Sequence, residues 1–290
     1  MELLLQSIVT GILLGGLYAL IGVGLSLIFG IMGLTNIAHG DFMIMSSFLI
    51  MVISTNVFNN LIAALAVTAV IMVGIGILVQ KFLINRILEK SAVSALLATF
   101  GLSIIIRNVL ELFFGVDYRI LNTAYKGIIV VDLPGLSISL EYLLNFIIAV
   151  VVVFTLHMIV KKTNLGRSIR AASANKITAE LMGIDTKKVY MYAMAIAMIT
   201  VSVSGMMVGS TFMFMPSSGT DYLIIAFGVV AIGGMGSIMG TLLGGMVLGL
   251  AQLLGAFFFT TGYQTLIGYL VLLVILTLRP RGLLGNMVRK

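Results

Sequence analysis

The chain has no cysteine and no tryptophan, only three prolines and two histidines, and just 9% of its residues are charged. Each shortage excludes something. Without cysteine there is no disulfide framework, no thiolate metal site and no cysteine nucleophile; reducing and oxidising compartments both tolerate such a chain. His39 and His157 lie too far apart, with too few neighbouring ligands, to suggest a metal site. A soluble domain carries roughly a quarter charged residues to cover its core. Here 60% of 290 residues are hydrophobic and mean hydropathy is +1.21. That balance excludes a soluble enzyme, a disordered tail and a nucleic-acid-binding domain. The composition is that of a polytopic membrane protein, an all-α bundle of transmembrane helices.

The few charges are unevenly placed. Lys161, Lys162, Arg167, Arg170, Lys176, Lys187 and Lys188 crowd into 161–188 against Glu180 and Asp185, a net +5. Arg279, Arg281, Arg289 and Lys290 follow in the tail, and Lys81, Arg86 and Lys90 with Glu89 in 81–90. The stretch 116–141 is slightly acidic, holding Asp117, Asp132 and Glu141 against Arg119 and Lys126. Loops on the cytoplasmic side collect Lys and Arg. The asymmetry therefore places 81–90, 161–188 and 279–290 inside and 116–141 outside.

A helix must cross about 30 Å at about 1.5 Å per residue, so a span needs ~20 apolar residues. Leu61–Gln80, Ala92–Phe114, Leu143–Val160 and Val189–Phe214 meet that length. Tyr222–Leu278 carries no charge over about 85 Å of helix at that rise. Parity asks for an odd number of crossings there: three short ones near 222–235, 237–259 and 264–278, or one crossing with a re-entrant pair. Leu3–Gly40 and a short run to Ile53 precede these spans, interrupted by Asp41. Two crossings there give nine in total with Met1 outside, whereas a re-entrant 31–53 gives eight. The expectation is thus about 8–9 crossings with the C-terminus inside. No Lys or Arg precedes the first span, which argues against a cleaved signal peptide.

Glycine is plentiful, 32 residues, and its spacing is informative. Gly236, Gly240 and Gly244 fall four apart, as do Gly245/Gly249, Gly205/Gly209 and Gly11/Gly15. Small residues at that spacing let membrane helices approach closely, so they read as helix-packing faces.

Catalytic chemistry is scarce. No G-x-x-x-x-G-K-[ST] loop is present, so the chain lacks its own phosphate cradle for ATP. Arg107 and Glu111, four apart within a span, can neutralise each other or serve in gating. Two stretches carry more. Gly33–Asp41 (GLTNIAHGD) sets polar groups between apolar helices; non-helical backbone at membrane depth lines a cavity or is buried in protein. Asn36, His39 and Asp41 could there meet a polar solute, while Asp41 could equally cap the helix that follows. Residues 161–188 read as two short helices, Gly166–Asn175 and Ile177–Met182, broken before Gly183 and Asp185. Ala171, Ala172, Ala174 and Ala179 leave a face another protein could approach, with Arg167 and Arg170 as donors for carboxylates. Lying along anionic lipid headgroups is the other use of so basic a segment.

Leu17–Gly30 (LYALIGVGLSLIFG) followed by Gly33–Asp41 resembles the N-terminal signature of the LivH-type permeases of branched-chain amino acid ABC importers. Leu165–Asp185 is similar to that family's cytoplasmic coupling segment, and Ala231–Gly240 (AIGGMGSIMG) to its late glycine-rich element. The three blocks keep the family's order across nearly the whole chain. Permeases for urea and short amides share them, so they speak less clearly of the solute.

The resemblance implies a single permease domain in the cell inner membrane, without enzymatic activity or cofactor. It would form half of a heterodimeric channel with a second related permease. Two cytoplasmic ABC ATPase subunits would drive it and an extracytoplasmic solute-binding protein would deliver leucine, isoleucine or valine. Gly166, Arg167, Arg170, Ala171, Ala179, Gly183 and Asp185 would then transmit ATPase movement. Membrane lipids surround it; nucleic acid has no part. The rival reading is an autonomous ion-coupled transporter, for which Asp41, Arg107 and Glu111 are the ionisable groups available within the spans.

Overall fold

The computed structural model describes residues 2–87, 92–133 and 135–285. Glu89, Lys90, Arg289 and Lys290, counted above toward the inside charge, and Met1 lie outside the described residues. The order is α1 (Glu2–Met32), α2 (His39–Ile53, extended by a wide turn over Ser54–Phe58), α3 (Leu61–Val79, extended through Gln80–Ile84), α4 (Asn85–Ile87) and α5 (Ala92–Phe114). A hairpin of β1 (Ile129–Leu133) and β2 (Leu136–Ser139) follows. Then come α6 (Leu140–Lys162), α7 (Asn164–Ala174), α8 (Lys176–Leu181), α9 (Thr186–Thr211), α10 (Gly219–Gly233), α11 (Ile238–Phe258) and α12 (Gln264–Leu278). Among the described residues, nine helical segments are long and apolar enough to cross a membrane. The charge-free stretch 222–278 resolves into α10, α11 and α12, as three short crossings require.

Sequence chemistry explains the breaks. Gly33, at φ +63, takes a left-handed conformation that ends α1. Asn59 (φ +44) turns the chain, and the Asn60 side chain accepts from the Ile62 and Ala63 N–H groups to start α3. Within 161–188 the two expected short helices are α7 and α8, begun by Thr163 and Asn175 side chains accepting from Gly166 N and Thr178 N, both at 3.0 Å. The stretch 116–141 holds more structure than its polarity suggested. β1 and β2 pair antiparallel with Val131 opposite Ile138 and Asp132 opposite Ser137, and Gln6 bonds both the N–H (2.8 Å) and the C=O (2.7 Å) of Ser137.

Two compact units emerge. The first comprises the described parts of Met1–Ser26, Asn122–Phe154 and Ile224–Lys290. Its centre is α1 against α11. Gly11 and Gly15 on one helix meet Gly245 and Gly249 on the other, backbone to backbone: a Cβ on Gly249 would lie 2.6 Å from Gly15 N, and one on Gly11 3.0 Å from Leu250 Cα. The glycine pairs that the sequence offers separately therefore pack on each other. Tyr18 donates to Gln252 Oε1 at 2.6 Å, and Gly268 on α12 leaves room for that Gln252 side chain. Gly240 and Gly244 face Gly233 on α10. Gly236 corrects the expectation of a three-glycine helical face: α11 begins at Ile238, and Gly236 (φ +83) forms the turn before it.

The second unit comprises Leu27–Leu121 and Thr155–Leu223, as far as described. Here α2 and α3 pack on α9. Gly205 brings α9 to within 2.6 Å of Met43 O for a hypothetical Cβ, and Ser47 Oγ donates to Gly205 O at 2.8 Å. Phe48 stacks on Phe114 (4.5 Å between centroids) and meets Phe214 edge-on (5.0 Å). Reciprocal 2.8 Å bonds between the backbones of Arg119 and Phe214 fix the loop after α5 to the one after α9.

Candidate functional site

The polar break at 33–41 lies against one face of α5, within the second unit. Thr99, Ser103 and Arg107, one helical turn apart, form a polar stripe along a mostly apolar helix. Thr99 Oγ1 accepts from Ile37 N (3.3 Å), and Ser103 Oγ donates to Asp41 Oδ2 (2.5 Å). The Arg107 guanidinium stands 3.8 Å from Asp41 Oδ1 and donates to Thr220 Oγ1 in the first turn of α10. The expected closure of Arg107 onto Glu111 does not occur. A fully buried carboxylate is a stronger partner than the half-buried Glu111 on the same helix, because less water competes for it.

Asp41 does not act as a cap. The N-cap of α2 is Ala38, without a side-chain cap bond. The Asp41 carboxylate instead reaches across to α5 from the first helical turn, where the helix dipole favours negative charge. Asn36 and His39 are both fully buried. Asn36 Oδ1 accepts from Ala38 N at 3.2 Å, while its Nδ2 is buried without a hydrogen-bond partner among the described residues. Gly40 and Gly219 let the first turns of α2 and α10 touch: a Cβ on Gly40 would run into the Gly219 carbonyl, and one on Gly219 into Asp41 Oδ1. Two helix N-termini thus meet at one carboxylate. Membrane proteins use such broken-helix ends for solutes and ions.

Sequence reasoning picked out Asn36, His39 and Asp41 but missed Ser103, Gly219 and Thr220 and gave Arg107 the wrong partner. The signal was present for α5: Thr99, Ser103, Arg107 and Glu111 recur every fourth residue. Nothing local announces Gly219.

The segment 161–188 is a second polar feature. Gly166 is forced by space, since a Cβ there would strike the carbonyls of Ile159 and Val160, and Gly183 by its φ of +80. Arg167 donates to Asn164 Oδ1 and Arg170 to the Val160 carbonyl, so both arginines bond their own chain. The small-residue face is corrected in part: Ala172 and Ala179 are buried and Ala171 is half-buried, while Ala174 stays exposed. The outward apolar groups are Ile177 (71% exposed), Leu181 (82%) and Met182 (78%). Apolar exposure of that kind in a charged loop marks a contact surface.

Asp185 caps α9, accepting from Lys188 N at 3.1 Å, with Lys188 Nζ also at 3.1 Å. The Lys188 backbone and side-chain donors hold its carboxyl below the usual carboxylate range. A lowered native pKa contributes stability that is full above the ordinary value, near pH 4, and fades as pH falls through the native one. Asp185→Ala should cost about 1 kcal/mol at pH 7. Its difference from wild type should be constant over the neutral range and shrink only in acid, as followed by thermal unfolding in detergent.

The family described as "Branched-chain amino acid transport system / permease component" matches residues 7–276. The chain is 27% identical to the high-affinity branched-chain amino acid transport system permease protein BraD of Pseudomonas aeruginosa, over 97% of this chain and 96% of that protein. With LivH, the permease protein of the same name in Salmonella typhimurium, identity is 28% over the same shares. Among solved structures, PsaBC from Streptococcus pneumoniae in complex with Fab has a similar fold: TM-score 0.51 at 13% identity, covering 97% of this chain and 93% of that one.

Proposed function

Since the chain belongs to the family of branched-chain amino acid transport system permease components, we propose that it is the membrane-spanning subunit of an ABC importer passing leucine, isoleucine and valine across the inner membrane. The family match over residues 7–276 carries this reading. The missing phosphate loop agrees with it, because such a subunit leaves ATP hydrolysis to others. Partners follow from the role: two cytoplasmic ATPase subunits, a solute-binding protein outside, and a second related permease completing the pathway. The basic segments 161–188 and 279–290 face the ATPases, and 116–141, with its hairpin, faces the receptor. Orientation here rests on the charge asymmetry.

The mechanism couples two equilibria. ATP favours the closed ATPase pair and the loaded receptor favours the bundle state that accepts solute; each ligand shifts populations only by its differential affinity. Movement enters through α7 and α8, whose exposed Ile177, Leu181 and Met182 form the docking surface. Asn36, His39, Asp41 and the groups around them line the solute path.

Proteoliposomes holding both permeases, the ATPases and the receptor should accumulate labelled leucine when ATP is inside, and this chain alone should accumulate none. Accumulation by the lone chain without ATP would overturn the reading in favour of an ion-coupled carrier. Uptake of urea or short amides in place of leucine would change the cargo and keep the machine.

A further inference from the structure

We propose that Asp41 and Arg107 are the counter-ions for the zwitterionic head of the transported amino acid, the α-ammonium resting on Asp41 and the α-carboxylate on Arg107. The assignment rests on the function proposed above and names the chemistry that selects its cargo.

Opposite charges inside a membrane segment are costly unless paired, and this pair is only loosely closed. The side chains stand 3.8 Å apart, each held from behind: Ser103 grips Asp41 Oδ2, and Thr220 takes an Arg107 Nη2 hydrogen. One atom on each has no hydrogen bond. Among the described residues Asp41 Oδ1 and Arg107 Nε are buried without a hydrogen-bond partner, Oδ1 keeping only the 3.8 Å ion-pair contact with Arg107 Nη2. A bare acceptor beside a bare donor, one anionic and one cationic, is the complement of a molecule that carries a cationic donor and an anionic acceptor one carbon apart. An α-amino acid is such a molecule.

Charge balance sharpens the choice. The pair is neutral by itself and stays neutral with a zwitterion inserted, so no uncompensated charge is left at low dielectric. A simple amine or carboxylate leaves one charge unmatched. Urea or an amide would have to open the ion pair and offer only dipoles in return. Discrimination therefore comes from what the wrong solute leaves unpaired.

Space and access agree. Gly219 packs on Asp41 Oδ1, and its missing Cβ is what leaves room for the carboxylate there, so a solute would reach the pair from the Arg107 side. The Asp41 side chain is 2% exposed and that of Arg107 32%, so the pair opens outward at its guanidinium end. Phe48 and Phe114, each about two helical turns further along α2 and α5 (about 11 Å), stack on one another and close the site on that side with an aromatic layer. On the other side lie the buried Asn36 and the Ile37–Thr99 bond.

The test uses the assembled transporter in proteoliposomes with receptor, ATP and labelled leucine. Asp41→Asn and Arg107→Gln should each lower leucine uptake at least tenfold. Glu111→Gln, one turn beyond Arg107 on α5, should leave it at the wild-type rate. Because the natural chain has no cysteine, Ser103→Cys places a single thiol in it beside Asp41. During turnover, leucine should slow its modification by a small methanethiosulfonate at least threefold, read on the mass of this chain, while urea and isovaleramide should not. This second measurement decides the matter where the charge variants fail to assemble. Unchanged uptake in both charge variants overturns the site, as does equal protection by urea or protection by no solute. If wild type imports no leucine at all, the cargo reading of the previous subsection fails and takes the site with it. Leucine import by wild type with a failed site leaves that reading standing.

Discussion

Gly15→Leu should leave little folded protein in the membrane. Gly15 of α1 and Gly245 and Gly249 of α11 touch through backbone atoms; even a methyl group on Gly249 would lie 2.6 Å from Gly15 N. Lipid tails are as apolar as leucine, so helices are held together by close packing, and an added isobutyl group forces apart the contact that holds them. Overpacking a soluble core costs about 1–3 kcal/mol; here the neighbour is backbone and cannot rotate away, so the upper end applies. We expect the monodisperse peak in fluorescence-detected size-exclusion to fall at least fivefold. Gly74→Leu supplies the control, since a Cβ there meets nothing within 4 Å. Equal loss in both, or in neither, would contradict the packing account.

Replacing Leu181 and Met182 together by aspartate should abolish transport and leave the bundle intact. Both side chains project from the end of α8 and touch little of their own chain. Burying each against a partner contributes about 1.5–3 kcal/mol, so charges in their place should weaken docking by roughly a hundredfold or more. The expected readouts are loss of ATPase subunits on co-purification and at least a tenfold drop in leucine uptake, with an unchanged elution profile for the permease alone. Retained co-purification with normal uptake would remove this face from the interface. Ala179→Leu makes a useful contrast, because Ala179 is buried: it should loosen the segment itself.

The spans were legible because their cause is local. An apolar run of sufficient length crosses a membrane whatever its neighbours do, and the charge-free stretch 222–278 divides at Gly234, Gly236 and Thr260–Tyr263, where turn residues stand. The short helices of 161–188 were legible for a like reason, each carrying its own cap at Thr163 or Asn175. The hairpin at 129–139 was not. Its strands are short, β1 is mostly exposed and β2 mostly half-buried, and they are held partly by Gln6, more than a hundred residues earlier in the chain.

The sequence by itself determined which residues are expensive in a membrane: Asp41 and Arg107 stand out wherever the helices go, because charge in an apolar run is visible without a structure. It also supplied the glycine spacings that allow close approach. Tertiary structure alone decided the pairings. Arg107 turns from Glu111 to Asp41, Gly11 and Gly15 find Gly245 and Gly249, and Ala172 and Ala179 turn inward while Leu181 and Met182 face out. Helical periodicity fixes which residues share a face, but which face meets which depends on long-range packing and on how much water remains between charges, and neither is written in local spacing.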